Sequence, residues 1–200
     1  MNERLRQNGI YTSTAGLTWA EREAHRIQKA ITLLRPGIPA EGGGIWADIG
    51  CGDGIFTSAL HTLIRPGGEI YAVDREPSAL NALARNLAES YPDALLHPVR
   101  ADFTRELILP ILDGIVMANS LHFAVDKEPL LNRLVRLLKP GGRLIVVEYN
   151  TRRGNPAVPY PLDDQDFLKL AKQIGLCEAR ILSRIPSTFL GEMYAGMGLA

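Results

Sequence analysis

Cysteine is scarce in this chain, and neither sign of charge prevails. Its two cysteines, Cys51 and Cys177, stand in separate segments without C-x-x-C spacing, so neither a disulfide framework nor a zinc site is expected. A reducing cytoplasm is the expected compartment. Lys plus Arg and Asp plus Glu number 22 each, which leaves a formal net charge of zero. No global basic field therefore draws the chain to nucleic acid or to an anionic membrane. No apolar run reaches the roughly 18 residues of a membrane span. The opening MNERLRQNGIYTSTAG lacks the apolar stretch of a signal peptide. The four histidines, His25, His61, His97 and His122, make no H-x-x-x-H pair, so local motifs support no metal. Internal repeats and low-complexity blocks are missing too.

What is present is the makeup of an ordinary globular protein, 200 residues with 46% hydrophobic and 22% charged content. That length suits one domain with a full core. The expected division is an N-terminal arm and helix to residue 40, a core over 41–150, and a helix with a closing β-hairpin over 151–200. Residues 1–18 are polar and weakly periodic and read as a loose arm. TWAEREAHRIQKAITLLRPG reads as a helix, capped by Thr18 with Glu21 at the capping-box position. Ala24, Ile27, Ala30, Ile31 and Leu34 form its apolar stripe, and Pro36 and Gly37 end it.

Strand and helix signals then alternate. GIWADIG, EIYAVD, LLHPVRAD, DGIVMANS and RLIVVEY read as strands. IFTSALHTLI, PSALNALARNLAESY, KEPLLNRLVRLLKPGG and LDDQDFLKLAKQIG read as helices. Pro98 in the third strand predicts an edge position or a bulge. The segment after that strand has room only for a brief helix or turn. CEARILSRI and STFLGEMYAG, separated by a break at Pro186, predict an antiparallel hairpin at one end of the sheet. The alternation predicts a mostly parallel α/β sheet covered on both faces, with right-handed crossovers.

The chemistry concentrates at the ends of the predicted strands. DIGCGDG follows the first strand and opens a helix, with Gly50, Gly52 and Gly54 available for positive φ and close backbone approach to a ligand. That is where open α/β sheets bind ligands. Asp48 stands two residues before the first glycine. Asp74 ends the second strand, at a spacing that suits a carboxylate receiving both ribose hydroxyls, and Asp102 ends the third. A dinucleotide fold reads G-x-G-x-x-G, whereas this turn reads G-x-G-x-G. A rim this acidic suits a cationic, ribose-bearing ligand without phosphates, such as S-adenosylmethionine.

In these elements the chain resembles the class I S-adenosylmethionine-dependent methyltransferases, in particular the small-molecule branch that includes the ubiquinone/menaquinone C-methyltransferases. ADIGCGDG resembles the first motif of that family, YAVD the second, RADF the third, DGIVMANSLHF the fourth, and LLKPGGRLIVVEY the helix and strand that follow. The resemblance covers about residues 40–150. It implies a Rossmann-like, doubly wound, seven-stranded sheet whose last strand is antiparallel, with an N-terminal helical extension.

It also implies roles. Asp48 would fix the turn and a water near the methionine amino group, and Gly50, Gly52 and Gly54 would pass under the cofactor, with Cys51 packing between them. Asp74 would hold the ribose hydroxyls, with Arg75 beside the adenine. Asp102 would accept from the adenine amino group, and the Phe103 amide would face a ring nitrogen. Asn119 and Ser120 would lie near the methionine moiety and the methyl. His122 is the candidate general base for an acceptor that must lose a proton. Glu148 and Tyr149 could face substrate. Arg152 or Arg153, in NTRRGNPAVPYPLDD, could meet an acidic group on it. Trp19 and Tyr11 could belong to a lid.

The partner implied is a small-molecule methyl acceptor. The NPPY-type tetrapeptide of amino-group methyltransferases is replaced by ANSL, which argues against nucleic-acid chemistry. Two other readings remain open here: a non-catalytic S-adenosylmethionine-binding partner protein and an NAD-dependent dehydrogenase.

Overall fold

The computed structural model describes Gly16 and residues 18–200. The rest of the expected arm, with Tyr11, lies outside the described residues. Helix α1 (Trp19–Leu34) starts at Thr18 with both halves of the capping box in place. After it come β1 (Ile45–Ile49), α2 (Ile55–Ile64), β2 (Glu69–Asp74), α3 (Pro77–Ser90), β3 (Leu95–Arg100) and β4 (Leu112–Ala118). The chain continues through α4 (Lys127–Val135), β5 (Leu138–Tyr149), α5 (Asp164–Gln173), β6 (Cys177–Ser187) and β7 (Gly191–Leu199).

The seven strands form one sheet in the order β3-β2-β1-β4-β5-β7-β6. The first five run parallel, and β7 lies antiparallel between β5 and β6. The order reverses between β1 and β4, so their carboxyl ends border the crevice of a doubly wound sheet.

Alternation of side chains along the central strands builds two cores. Ala47, Ile49, Ile115, Met117, Leu144 and Val146 point to one face, where Leu130, Leu131 and Leu134 of α4 and Phe167 of α5 cover them. Their neighbours Trp46, Val116, Ala118, Ile145 and Val147 point to the other, under Ala30–Leu34 of α1 and Ala59–Ile64 of α2. Leu80, Leu83 and Leu87 of α3 close over Ala72 and Cys51. The indole of Trp46 lies across Gly114 on the neighbouring strand, and a Cβ there would stand 2.1 Å from its ring. Among the described residues, no helix is long and apolar enough to cross a membrane.

Three local expectations need correcting. Ala24 is exposed, and Leu33 joins the buried stripe of α1 instead. Helix α4 stops at Val135, because Leu138 already pairs with Leu112 at the start of β5. Pro186 lies inside β6, paired with Glu192, and the hairpin turns after Ser187. Between β3 and β4, by contrast, the chain makes only a turn, as its short length predicts. Pro98 does sit on an edge strand, where its missing N–H leaves no ladder bond unmade.

Replacing Gly114 with Ala drives a methyl into the Trp46 ring in the middle of the sheet. We expect a loss of about 1–3 kcal/mol in urea denaturation, the usual cost of overpacking a filled core.

Candidate functional site: an acid-rimmed glycine turn

Chain leaving β1 reverses into α2 through Gly50–Gly54. Gly50 and Gly54 have φ of 77° and 89°, in the left-handed region. A Cβ on Gly50 would stand 2.5 Å from Cβ of Ser120, and one on Gly54 2.3 Å from Cδ1 of Leu83. Both positions thus require glycine for conformation and for space. The Gly50 and Cys51 amides donate to the Val73 carbonyl at 2.8 and 3.0 Å. The Gly52 amide donates to Oδ2 of Asp74 at 2.9 Å. These bonds hold the turn against the end of β2.

Asp48 is buried under this turn. Its Oδ2 accepts from the Thr57 hydroxyl of α2 at 2.6 Å, while Oδ1 is buried with no hydrogen-bond partner. Burial pushes its carboxyl from the ordinary 3.8 up to about 7, against the pull of the Thr57 bond, and the nearby charge of Asp74 adds to the rise. Asn119, just past β4, adopts a left-handed φ of 52° and also carries a buried, unpartnered Oδ1. A buried acceptor without a donor is costly. The carboxyl edge of the two central strands therefore presents two such acceptors, which suits a donor-rich cationic group.

Asp74 receives backbone amides on both oxygens, from Gly52 on Oδ2 and from Glu76 on Oδ1 at 2.9 Å. The two bonds fix the plane of the carboxylate and leave one lone pair on each oxygen for a pair of hydroxyls. Asp102 accepts from the Thr104 hydroxyl and amide through Oδ1 alone, at 2.7 and 2.9 Å. Those bonds hold its carboxyl below the usual carboxylate range. Its Oδ2 lies 3.9 Å from Arg105, beyond hydrogen-bond reach. Phe103 approaches the turn from beneath, its Cε1 3.4 Å from where a Gly50 Cβ would sit. Ser120 donates to the Ile49 carbonyl at 2.7 Å and ties the end of β4 to β1. Burial, with Asp48 and Asp74 beside it, pushes the Cys51 thiol up, so it packs as an inert apolar group. Arg75 is exposed and turned to Glu76 at 3.3 Å.

A cleft of about 370 Å³ opens on the α1 side of the turn. Gly50–Asp53, Ala118 and Asn119 form its floor, and Arg26, Lys29, Ala30 and Leu33 of α1 form one wall. Tyr149 and the β6–β7 hairpin at Ile185–Thr188 and Met193 form the other. Asp74, Asp102 and His122 do not line this cleft. The two acids sit along the strand ends beyond the turn.

The His122 ring is almost wholly buried, with Nδ1 2.7 Å from Oε2 of the fully buried Glu148, while the His122 amide donates to Oε1 at 3.1 Å. Arg152 forms an ion pair with Asp163, which caps α5. Sequence reasoning missed the wall supplied by Arg26, Lys29 and the hairpin. No motif marks those residues; only the packing of α1 on the sheet and the place of the β6–β7 hairpin beside β5 bring them to the turn.

This sheet order, with a glycine turn and acids at the carboxyl ends of its first strands, defines a Rossmann-like nucleoside-binding domain. A methyltransferase-domain family profile matches residues 47–144, which span the turn, the three acids and the strands through β5. Among curated relatives, the ubiquinone/menaquinone biosynthesis C-methyltransferase UbiE of Ectopseudomonas mendocina is 30% identical over 147 residues, 72% of this chain and 55% of that protein. The chain thus spans just over half the length of that relative. In fold, it matches the 1,6-didemethyltoxoflavin-N1-methyltransferase of Burkholderia thailandensis with a TM-score of 0.68 at 19% identity, covering 98% of this chain and 86% of that one. A SAM-dependent methyltransferase from Aquifex aeolicus matches with a TM-score of 0.64 at 16% identity, over 100% and 98% of the two chains. Residues 47–144 are thus a methyltransferase domain, and the chain is similar in sequence and fold to the class I S-adenosylmethionine-dependent methyltransferases.

The raised Asp48 carboxyl makes a pH prediction. Its folded-state pKa lies above the unfolded value, so its contribution to stability is present below about pH 4 and lost as pH rises through about 7. Asp74 and the Cys51 thiol are the other titratable groups against it. We expect Asp48→Asn to gain stability over the wild type in urea denaturation at about pH 8, and not at about pH 4. A cationic ligand favours the ionised form. Its affinity for the wild type therefore rises between about pH 6 and 8, and the rise disappears in Asp48→Asn.

Proposed function

We propose that the chain transfers the methyl group of S-adenosylmethionine to a small-molecule acceptor. The observation that carries this reading is the pair of unpartnered buried oxygens, Oδ1 of Asp48 and Oδ1 of Asn119, on an otherwise acidic strand-end rim. Such a rim repels a pyrophosphate and accepts a ligand bearing an ammonium and a sulfonium, which speaks against a nicotinamide dinucleotide. Asp74 takes the ribose hydroxyls, and Oδ2 of Asp102 and the Phe103 amide take the adenine edge. The cleft has the volume of a metabolite site. The names of the curated relatives favour carbon as the acceptor atom.

When bound, S-adenosylmethionine supplies an electrophilic methyl on sulfur. The protein's part is to hold donor and acceptor in line and exclude water, so positioning carries much of the rate. The turn fixes the donor side, while Tyr149, α1 and the hairpin enclose the acceptor side. His122 is buried on Glu148 and does not line the cleft, so its part is to hold the turn after β4 against the end of β5 rather than to take a proton from the acceptor.

Titration calorimetry with S-adenosylhomocysteine and with NADH tests this reading. S-adenosylhomocysteine is expected to bind, and Asp74→Ala to weaken it about 10–100-fold through loss of the ribose bonds. Binding of NADH alone overturns the reading. Tight S-adenosylhomocysteine binding with no isotopic methyl transfer across a metabolite panel marks a non-catalytic binding protein instead.

A further inference from the structure

We propose that Lys29 is the receptor for a ligand carboxylate in the cleft, an assignment that rests on the methyl-donor reading above. Three charged side chains line the cleft, Arg26, Lys29 and Asp53. Arg26 and Asp53 neutralise one another at 3.0 Å. Lys29 has no hydrogen-bond or ion-pair partner among the described residues, and it is partly buried where its α1 neighbours Arg26, Gln28 and Thr32 are exposed. The cleft therefore carries one uncompensated positive charge in a concave, partly dehydrated setting, where an anion gains most.

The hydroxyl-bearing residues Tyr149, Ser187 and Thr188 stand on the wall facing α1 and can share the same anion. Charge is thus divided across the glycine turn. Carboxylates serve the side that meets ribose and base, and an ammonium serves the side beyond the sulfur. A planar carboxylate of small size fits this pattern. It can come from the amino-acid end of the donor or from an acidic acceptor. The basic loop at Arg152 does not compete for this role, because Arg152 is held by Asp163.

The test is calorimetry on the full chain and on Lys29→Met and Lys29→Arg, with thermal melts to show that both variants fold. The probes are S-adenosylhomocysteine, 5′-methylthioadenosine (which lacks the amino-acid end), and benzoate added to the S-adenosylhomocysteine complex. If the donor supplies the carboxylate, Lys29→Met weakens S-adenosylhomocysteine about 10–100-fold, leaves 5′-methylthioadenosine unchanged, and Lys29→Arg restores most of the loss. If an acidic acceptor supplies it, S-adenosylhomocysteine is unchanged and benzoate binding to the complex is lost in Lys29→Met. Wild-type binding of S-adenosylhomocysteine with neither effect in the variant overturns the assignment alone. A wild-type chain that binds no S-adenosylhomocysteine overturns the donor reading and this assignment together.

Discussion

Chain leaving β1 passes close against Ser120 at Gly50 and against Leu83 at Gly54, where a Cβ would stand 2.5 and 2.3 Å from the neighbouring side chain. Both residues also take left-handed φ, so conformation and close approach together call for glycine at each. Every other element of the site is placed relative to the turn they make. The end of β2 receives the turn through the Val73 carbonyl and the Asp74 carboxylate. The end of β4 closes over it through Ser120. The start of α2 reaches back beneath it through Thr57 to Asp48.

The energetic consequence is a site held in readiness. Oxygens at the carboxyl edge of β1 and β4 are buried without donors, a cost that packing on both faces of the sheet sustains. The raised Asp48 carboxyl is the electrostatic trace of the same arrangement. A ligand that brings donors and positive charge relieves both. The buried His122–Glu148 couple plays a related part nearby, tying the turn after β4 to the end of β5 at 2.7 Å and setting the imidazole tautomer in doing so.

Much of this is legible in the sequence. The short apolar runs in WADI, IVMA and LIVV announce strands buried on both faces, and successive side chains along them divide between the two cores. Acids two residues before the first glycine and at the next two strand ends mark the rim, since strand ends in a parallel sheet share one edge. Pro98 announces an edge strand by its missing donor. Tertiary contact overrode other local signals. The helical pattern through LVRLLKPGG yields to pairing of Leu138 with Leu112. Pro186 reads as a break, yet it sits near the end of an outer strand, where no partner on the far side needs its N–H. Arg26 and Lys29 look like solvated helix charges, because only the placement of α1 beside the turn makes them a wall. The unpartnered oxygens of Asp48 and Asn119 leave no mark on a sequence at all.

Amide chemical-shift mapping on addition of S-adenosylhomocysteine tests the central claim most directly. The account predicts that the largest changes fall on the Gly50–Gly54 amides and on Phe103 and Asn119, around one edge of the sheet. Changes confined to the opposite edge, at Gly42–Gly44 and Gly141–Arg143, or no changes at saturating ligand, would contradict it.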